Sequence, residues 1–371
     1  MSQPGYVHPP FVKHKMYATA QAAGDKLGWW INSMGLPEAW KTNKGFSGKL
    51  NRSVRIGICD TGVDRVHVTN GDLPNVVMRL DATGLSRDGW AKHDDHHGTA
   101  CCGVAAGAEN DRGMIGVAPL AELVSVKVMD GGSGYSEWIA KGIRMAVDEG
   151  EVDIVSLSLG SPGPSKQIAE AIEYAVSKGV YVFAAAGNTG RPMDINFPAR
   201  WRQPPGRKNV DTIAVGAYAM VNGKLERSSF SSMGPELDIS APGSGIVTTW
   251  ENGTYMELDG TSFACPATAG VAALLIARHW DLGDESKTPL TNMDQMREHL
   301  YKAATDAGKE GFDDEFGGGM LTNVGDALES DGGVQPPVEP QPQGWLQWFL
   351  KFVQVPADGR YAVGIWPLGK K

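Results

Sequence analysis

The chain predicts an α/β protein with a mostly parallel sheet flanked by helices. Two observations carry this expectation. From about Ser53 onward, short β-branched runs alternate with segments of helical period. The 371 residues and 42% hydrophobic content also suffice for one large core. Val54–Cys59 reads as a strand that ends at Asp60-Thr61-Gly62, and 123–128 reads as another. The next segment places Ile139, Ile143, Ala146 and Val147 on one helical face. A strand over 154–159, a helix aligning Ile168, Ile172, Ala175 and Val176, and a strand over 180–184 follow. Segments 212–216 and 237–240 are further strand candidates, and a helix rich in small residues runs from Ser262 to about His279. Reactive groups of an open α/β sheet collect beyond the carboxyl ends of its strands, and Asp60 and Asn188 both stand at such ends.

Composition narrows the function. A net charge of -9 argues against nucleic acid as a partner, because neutralising phosphates requires clustered Lys and Arg. The four cysteines, Cys59, Cys101, Cys102 and Cys265, lie in apolar or small-residue stretches and form no C-x-x-C pair. They read as buried free thiols suited to a reducing compartment. With no apolar leader and no run read as membrane-spanning, a cytoplasmic protein is the expectation. A Pro-, Gly- and Gln-rich stretch over 331–344 reads as a linker, and 345–371 as an apolar tail.

Amide hydrolysis by a serine needs a base to take its proton, an acid to orient that base, and donors for the oxyanion. Asp60, after an apolar strand, suits the orienting acid, though Asp before Thr-Gly is equally an Asx turn. His97 leads into Gly98-Thr99-Ala100-Cys101-Cys102-Gly103, a helix slim enough to pack close to the sheet. A lone His is more often structural, and His93-Asp94-Asp95-His96 beside it also suggests a metal cluster. Ser262, within Gly260-Thr261-Ser262-Phe263-Ala264-Cys265-Pro266, stands at a helix start whose positive partial charge favours an oxyanion, although Ser is also a common N-cap. Pro266 reads as tolerated within the first turn. Asn188, after Ala184-Ala185-Ala186-Gly187, offers an amide donor or an ordinary turn.

Taken together in the order Asp, His, Asn, Ser, these segments resemble the subtilase family of serine peptidases, from about Gly28 to Asp326. The resemblance extends to Ser158-Leu159-Gly160, Gly116-Val117-Ala118-Pro119 and Val126-Lys127-Val128. It implies a subtilisin-like three-layer fold with a seven-stranded sheet. The implied activity is that of a serine endopeptidase acting on protein or peptide substrates through an acyl-enzyme. Ser262 would be nucleophile, His97 general base and acid, Asp60 orienting acid and Asn188 oxyanion donor. Substrate would lie extended between Gly132, Ser133 and Gly134 on one side and Ser158, Leu159 and Gly160 on the other. Ala185, Ala186 and Gly187 would line a pocket for a sizeable apolar side chain. A structural calcium is also implied, with Asn110, Asp72 and Asp25 as ligands.

The chain departs from the family pattern at Ala100 and Ala267, where a second His and a His after Pro are common, and in the long segment 67–73. Arg200–Lys208 reads as an inserted surface loop. The organisation is closest to that of intracellular subtilisins, with residues 1–27 as an extension before a catalytic domain over 28–330. That resemblance implies that Tyr6–Phe11 blocks the cleft, its prolines resisting cleavage. Trp345, Trp348, Phe349, Phe352 and Val353 suit either an amphipathic helix or a hairpin that docks on the same molecule or on a partner. A catalytically silent binding protein of the same fold is the alternative.

Overall fold

The computed structural model describes residues 5–19, 28–86, 88–92, 95–202, 210–283 and 290–329. Asp25, His93, Asp94, most of the Arg200–Lys208 loop, the linker and the aromatic tail lie outside the described residues. Backbone contacts divide the chain into Met1–Pro337 and Val338–Lys371, and the description concerns the first unit.

Seven strands form the parallel heart of the sheet: β1 Arg55–Asp60, β2 Val76–Asp81, β3 Glu122–Lys127, β4 Ile154–Leu157, β5 Tyr181–Ala185, β6 Ile213–Val221 and β7 Ile239–Pro242. Their spatial order is β2-β3-β1-β4-β5-β6-β7, which agrees with the expected seven-stranded core. Short strands complete a ten-stranded sheet: Met320–Leu321 runs parallel beside β7, Ala304–Thr305 pairs with it antiparallel, and Lys224–Arg227 folds back on β6. Strand β2 escaped the sequence reading because most of its positions are only half-buried at the sheet edge.

Period-two alternation divides the core into two layers. Ile56, Ile58, Ile154, Phe183, Ile213 and Val215 face helices α1 (His97–Ala106) and α4 (Thr261–Leu282). Val124, Val126, Val155, Leu157, Val182 and Ala184 face helices α2 (Ser136–Asp148) and α3 (Lys166–Ser177). α2 buries Ile139, Ile143 and Ala146, and α3 buries Ile168, Ile172 and Ala175, along the predicted stripes. The other two helices differ in kind. All of α1 is buried, as is α4 from Thr261 to Ala277, so small side chains on every face let both pack within the layer. α4 is long and apolar enough to cross a membrane, contrary to the reading that no such segment exists, but 94% of its most apolar window is buried within the protein, as in a core helix.

Asp60 is the last residue of β1 and Ala185 the last of β5, so the carboxyl edge gathers both expected segments. Beside that edge stands a three-stranded antiparallel sheet of Ile246–Thr249, Tyr255–Asp259 and Val12–Tyr17. The last of these strands belongs to the N-terminal extension.

Candidate active site

At the end of β1, Asp60 Oδ1 and Oδ2 lie 2.8 and 3.0 Å from His97 Nδ1. Both side chains are essentially without solvent exposure. The Thr61 backbone N–H donates to Asp60 Oδ1 at 2.8 Å, fixing the carboxylate. The Thr61 hydroxyl accepts from the Gly98 N–H at 3.0 Å, which ties the first turn of α1 to the same turn. Gly98 is required by this approach, since a Cβ there would come within 2.4 Å of the Gly62 carbonyl oxygen. These contacts explain why glycine follows the histidine.

Ser262 is the second residue of α4. Pro266 is the sixth, beyond the first turn, which corrects the sequence reading. Lacking an N–H, it leaves the Ser262 carbonyl without its helical donor. The Ser158 hydroxyl donates to that carbonyl at 2.7 Å, and the Cys101 thiol lies 3.4 Å from it. Ser158 therefore points inward to brace Ser262, a role its sequence position did not suggest.

Asn188 is aimed by its own amide. Its Oδ1 accepts from the Thr261 N–H at 2.9 Å and the Thr261 hydroxyl at 2.7 Å. Its NH2 is thereby turned outward, where it donates to the Pro10 carbonyl at 2.7 Å. Gly187, at φ +112, supplies the left-handed turn that carries the chain from β5 to this amide.

The cleft holds the N-terminal extension. Tyr6 and Val7 pair antiparallel with Gly134 and Ser133. Val7 N–H donates to the Gly160 carbonyl at 3.1 Å and Gly160 N–H to the Val7 carbonyl at 2.7 Å, while His8 N–H donates to the Gly132 carbonyl at 3.4 Å. The two expected edges, Gly132-Ser133-Gly134 and Ser158-Leu159-Gly160, thus clasp one extended segment. Tyr6 is buried and its hydroxyl donates to the Gly163 carbonyl at 3.3 Å. The His8 ring stacks on His97 with centroids 4.6 Å apart, and Phe11 lies 4.9 Å from His97 and 5.9 Å from Phe263. Burial, with His97 adding to it, pushes the His8 imidazole down to about 4, against the weaker pull of Asp60 and Asp95.

Beneath this cover, the Ser262 hydroxyl and His97 Nε2 are both buried and make no hydrogen bond. The acid–base half of the predicted constellation is assembled; the nucleophile–base contact is not. Ala185 and Ala186 are buried, and a Cβ on Gly187 would meet the Asn196 amide at 2.8 Å, so the wall beside Asn188 is filled closely.

The other site expectations fare differently. Asp95 accepts from the Gly132 N–H at 2.6 Å, His97 turns to Asp60, and His96 Nε2 lies 3.8 Å from Glu251, so the described members of the suggested metal cluster diverge. Asp72 and Asn110 do adjoin, but their oxygens are engaged. Asp72 Oδ2 accepts from Met114 N–H at 2.9 Å and the Tyr255 hydroxyl at 2.8 Å. Asn110 Oδ1 accepts from Arg112 N–H, its NH2 faces the Gly71 carbonyl, and the Arg112 guanidinium donates to Asn70 O. Only Asp72 Oδ1 lacks a donor among these, far short of the six to eight oxygens calcium takes. Asp72 and Asn110, the two described members of that set, do not by themselves form a calcium cage.

A model of the Subtilase family matches residues 51–319. Subtilisin E of Bacillus subtilis (strain 168) is 35% identical over 284 residues, 75% of this chain and 66% of the relative. Subtilisin Savinase of Lederbergia lenta is 35% identical over 294 residues, 79% of this chain and 96% of the relative. M-protease of Shouchella clausii (strain KSM-K16) is 36% identical over 294 residues, 79% of this chain and 68% of the relative. The chain thus spans just under two thirds of the length of the Bacillus subtilis protein. The matched relatives are secreted, extracellular subtilisins, which overturns the expectation of a cytoplasmic protein. The inference from cysteines failed for a physical reason. All four thiols are free and buried, and burial pushes each of them up, Cys265 to about 12, so they are inert in either redox environment.

Proposed function

The chain belongs to the subtilase family, and from that premise we propose that it is a serine endopeptidase whose own N-terminal segment occupies the cleft. Ser262 is the nucleophile, His97 the base that receives its proton through Nε2 and returns it to the leaving amine, and Asp60 the acid that holds Nδ1–H and stabilises the imidazolium. The Asn188 NH2, already directed at a carbonyl oxygen, meets the oxyanion. The single observation that carries the reading is that contact between Asn188 and Pro10. A peptide carbonyl sits at the oxyanion donor while Val7 and His8 fill the strand lane upstream.

The segment reads as an inhibitor rather than a substrate. His8 and Phe11 pack on His97, and Ser262 and His97 stay unbonded beneath them. Pro9 and Pro10 lead up to that carbonyl, so the backbone on its upstream side is fixed by two rings. Once the segment leaves, a rotation of the Ser262 side chain is the rearrangement that completes the triad. Calcium is compatible with the family.

The unbonded Ser262 hydroxyl also favours a second reading, a catalytically silent binding protein. One experiment separates the two. A serine-directed phosphonate should label Ser262 slowly in the wild type and at least tenfold faster in Val7→Pro, which removes an N–H that holds the segment. The label should vanish when His97 is replaced by Ala. Peptide mapping that finds no adduct on Ser262 in Val7→Pro would remove the endopeptidase reading.

A further inference from the structure

The segment in the cleft continues past the catalytic groups. Beyond Pro10 and Phe11, Val12–Tyr17 adds a strand to the edge of Tyr255–Asp259, with Val12 opposite Asp259, Lys13 opposite Leu258 and Tyr17 opposite Tyr255. Backbone pairing of this kind accepts any sequence, and selectivity must come from side chains. Val12 and Met16 supply little, being about half exposed, while Tyr17 at the strand's end is buried and its hydroxyl donates to Glu257 at 3.0 Å.

The cations do more. Lys13 Nζ stands 4.6 Å from the centroid of the Trp250 ring, and Trp250 is only 3% exposed. A cation over a ring shielded from water is held more strongly than one over an exposed ring. His14 Nε2 lies 2.8 Å from Asp259 Oδ2, while Asp259 Oδ1 is pinned by the Gly245 N–H at 2.6 Å. Asp259 is therefore a fixed anion rather than a floppy one. Next to it opens a cleft of about 710 Å³ whose walls include Glu226, Glu257 and Asp259 against a single Arg227.

We infer that Trp250 and Asp259 are specificity-determining residues, selecting substrates with cationic side chains at the third and fourth positions downstream of the cleaved carbonyl. The inference rests on the endopeptidase reading, because it takes Val12–Tyr17 to lie in the lane a substrate uses. Counting from the Pro10 carbonyl at Asn188, Phe11 is the first downstream residue, Lys13 the third and His14 the fourth. When the segment withdraws, the Trp250 face, the Asp259 carboxylate and an unpaired strand edge remain on the enzyme. Lysine or arginine in the third place and a cation in the fourth then meet the same partners.

The test uses the full chain carrying Val7→Pro and fluorogenic peptides identical up to the cleaved bond. One set has Lys-Arg and the other Glu-Glu at the third and fourth downstream positions. The expected kcat/KM ratio is at least tenfold in favour of Lys-Arg, shrinking with added salt as surface charge is screened. Asp259→Asn, close in shape, should lower the ratio at least threefold, and adding Trp250→Leu should bring it near one. A ratio within twofold in the Val7→Pro chain, or one unchanged by Asp259→Asn, overturns the inference. So does the result that Asp259→Asn only relieves self-inhibition, because the cations would then be mere tethers. Phosphonate labelling of Ser262 together with a flat ratio sinks this inference alone; absence of both label and cleavage sinks the endopeptidase reading with it.

Discussion

The two halves of the occupied cleft are held in different ways. Upstream of Asn188, Tyr6 to His8 are held by backbone hydrogen bonds to Gly132 and Gly160 and by one buried phenol. Downstream, the backbone of Val12 to Tyr17 pairs with Tyr255–Asp259, but the side chains of Val12 to Met16 are exposed, and the side-chain contacts that fix them are ionic or cation–π. Burial supplies affinity with little sequence demand beyond an aromatic ring. Charge on a fixed edge supplies selectivity with little affinity, since exposed ion pairs contribute at most about 1 kcal/mol. Occupancy of the cleft should therefore depend on the upstream half and substrate choice on the downstream half.

The upstream half should fail first in acid. His8 faces His97, Asp60 and Asp95, and its docked imidazole is pushed from its ordinary 6.5 down to about 4. A neutral ring is thus preferred in the docked state. Docking is complete above about pH 6.5 and weakens as pH falls, because the released segment gains a proton that the docked one resists. By pH 4 the loss should be on the order of a hundredfold in the docking constant. Hydrogen exchange at the Val7 and Gly160 amides, corrected for intrinsic rates, should accelerate accordingly between pH 7 and 4. In His8→Phe it should stay flat. Equal pH profiles in both proteins would show that His8 is not the sensing group.

Tyr6→Ala attacks the same half through burial. Removing a buried side chain of this kind costs about 2 kcal/mol, or roughly thirtyfold in docking. Hydrolysis of a small peptide ester by the full chain should rise by about that factor. A rate unchanged from wild type would mean that the phenol is not what holds the segment.

These differences set the limits of the sequence. Asp60, His97, Asn188 and Ser262 were legible because each stands where a strand or helix ends, and local punctuation marks that. Tyr6–Phe11 was legible from its prolines and from the family resemblance. Val12–Tyr17 was not, because a strand with five exposed positions has no alternating pattern to read. The inward turn of Ser158 depends on a proline 108 residues away, and the donors that occupy Asp72 come from Met114 and Tyr255. Spacing encodes neither. Phe263, beside the candidate nucleophile, packs 5.7 Å from the His97 ring, an aromatic wall that the motif text did not distinguish from a spacer.

The downstream half should yield the smallest effect on occupancy. Lys13→Ala removes the cation over Trp250 while leaving the strand pairing of its backbone with Leu258 intact. A cation–π contact of this geometry contributes about 0.5–1 kcal/mol when its cation is largely in water. Ester hydrolysis by the full chain should rise only about threefold, a tenth of the Tyr6→Ala effect, and salt should abolish most of the difference. A rise as large as that of Tyr6→Ala would overturn the division of labour. The downstream cations would then be the principal latch, and the backbone clasp upstream would follow from their binding.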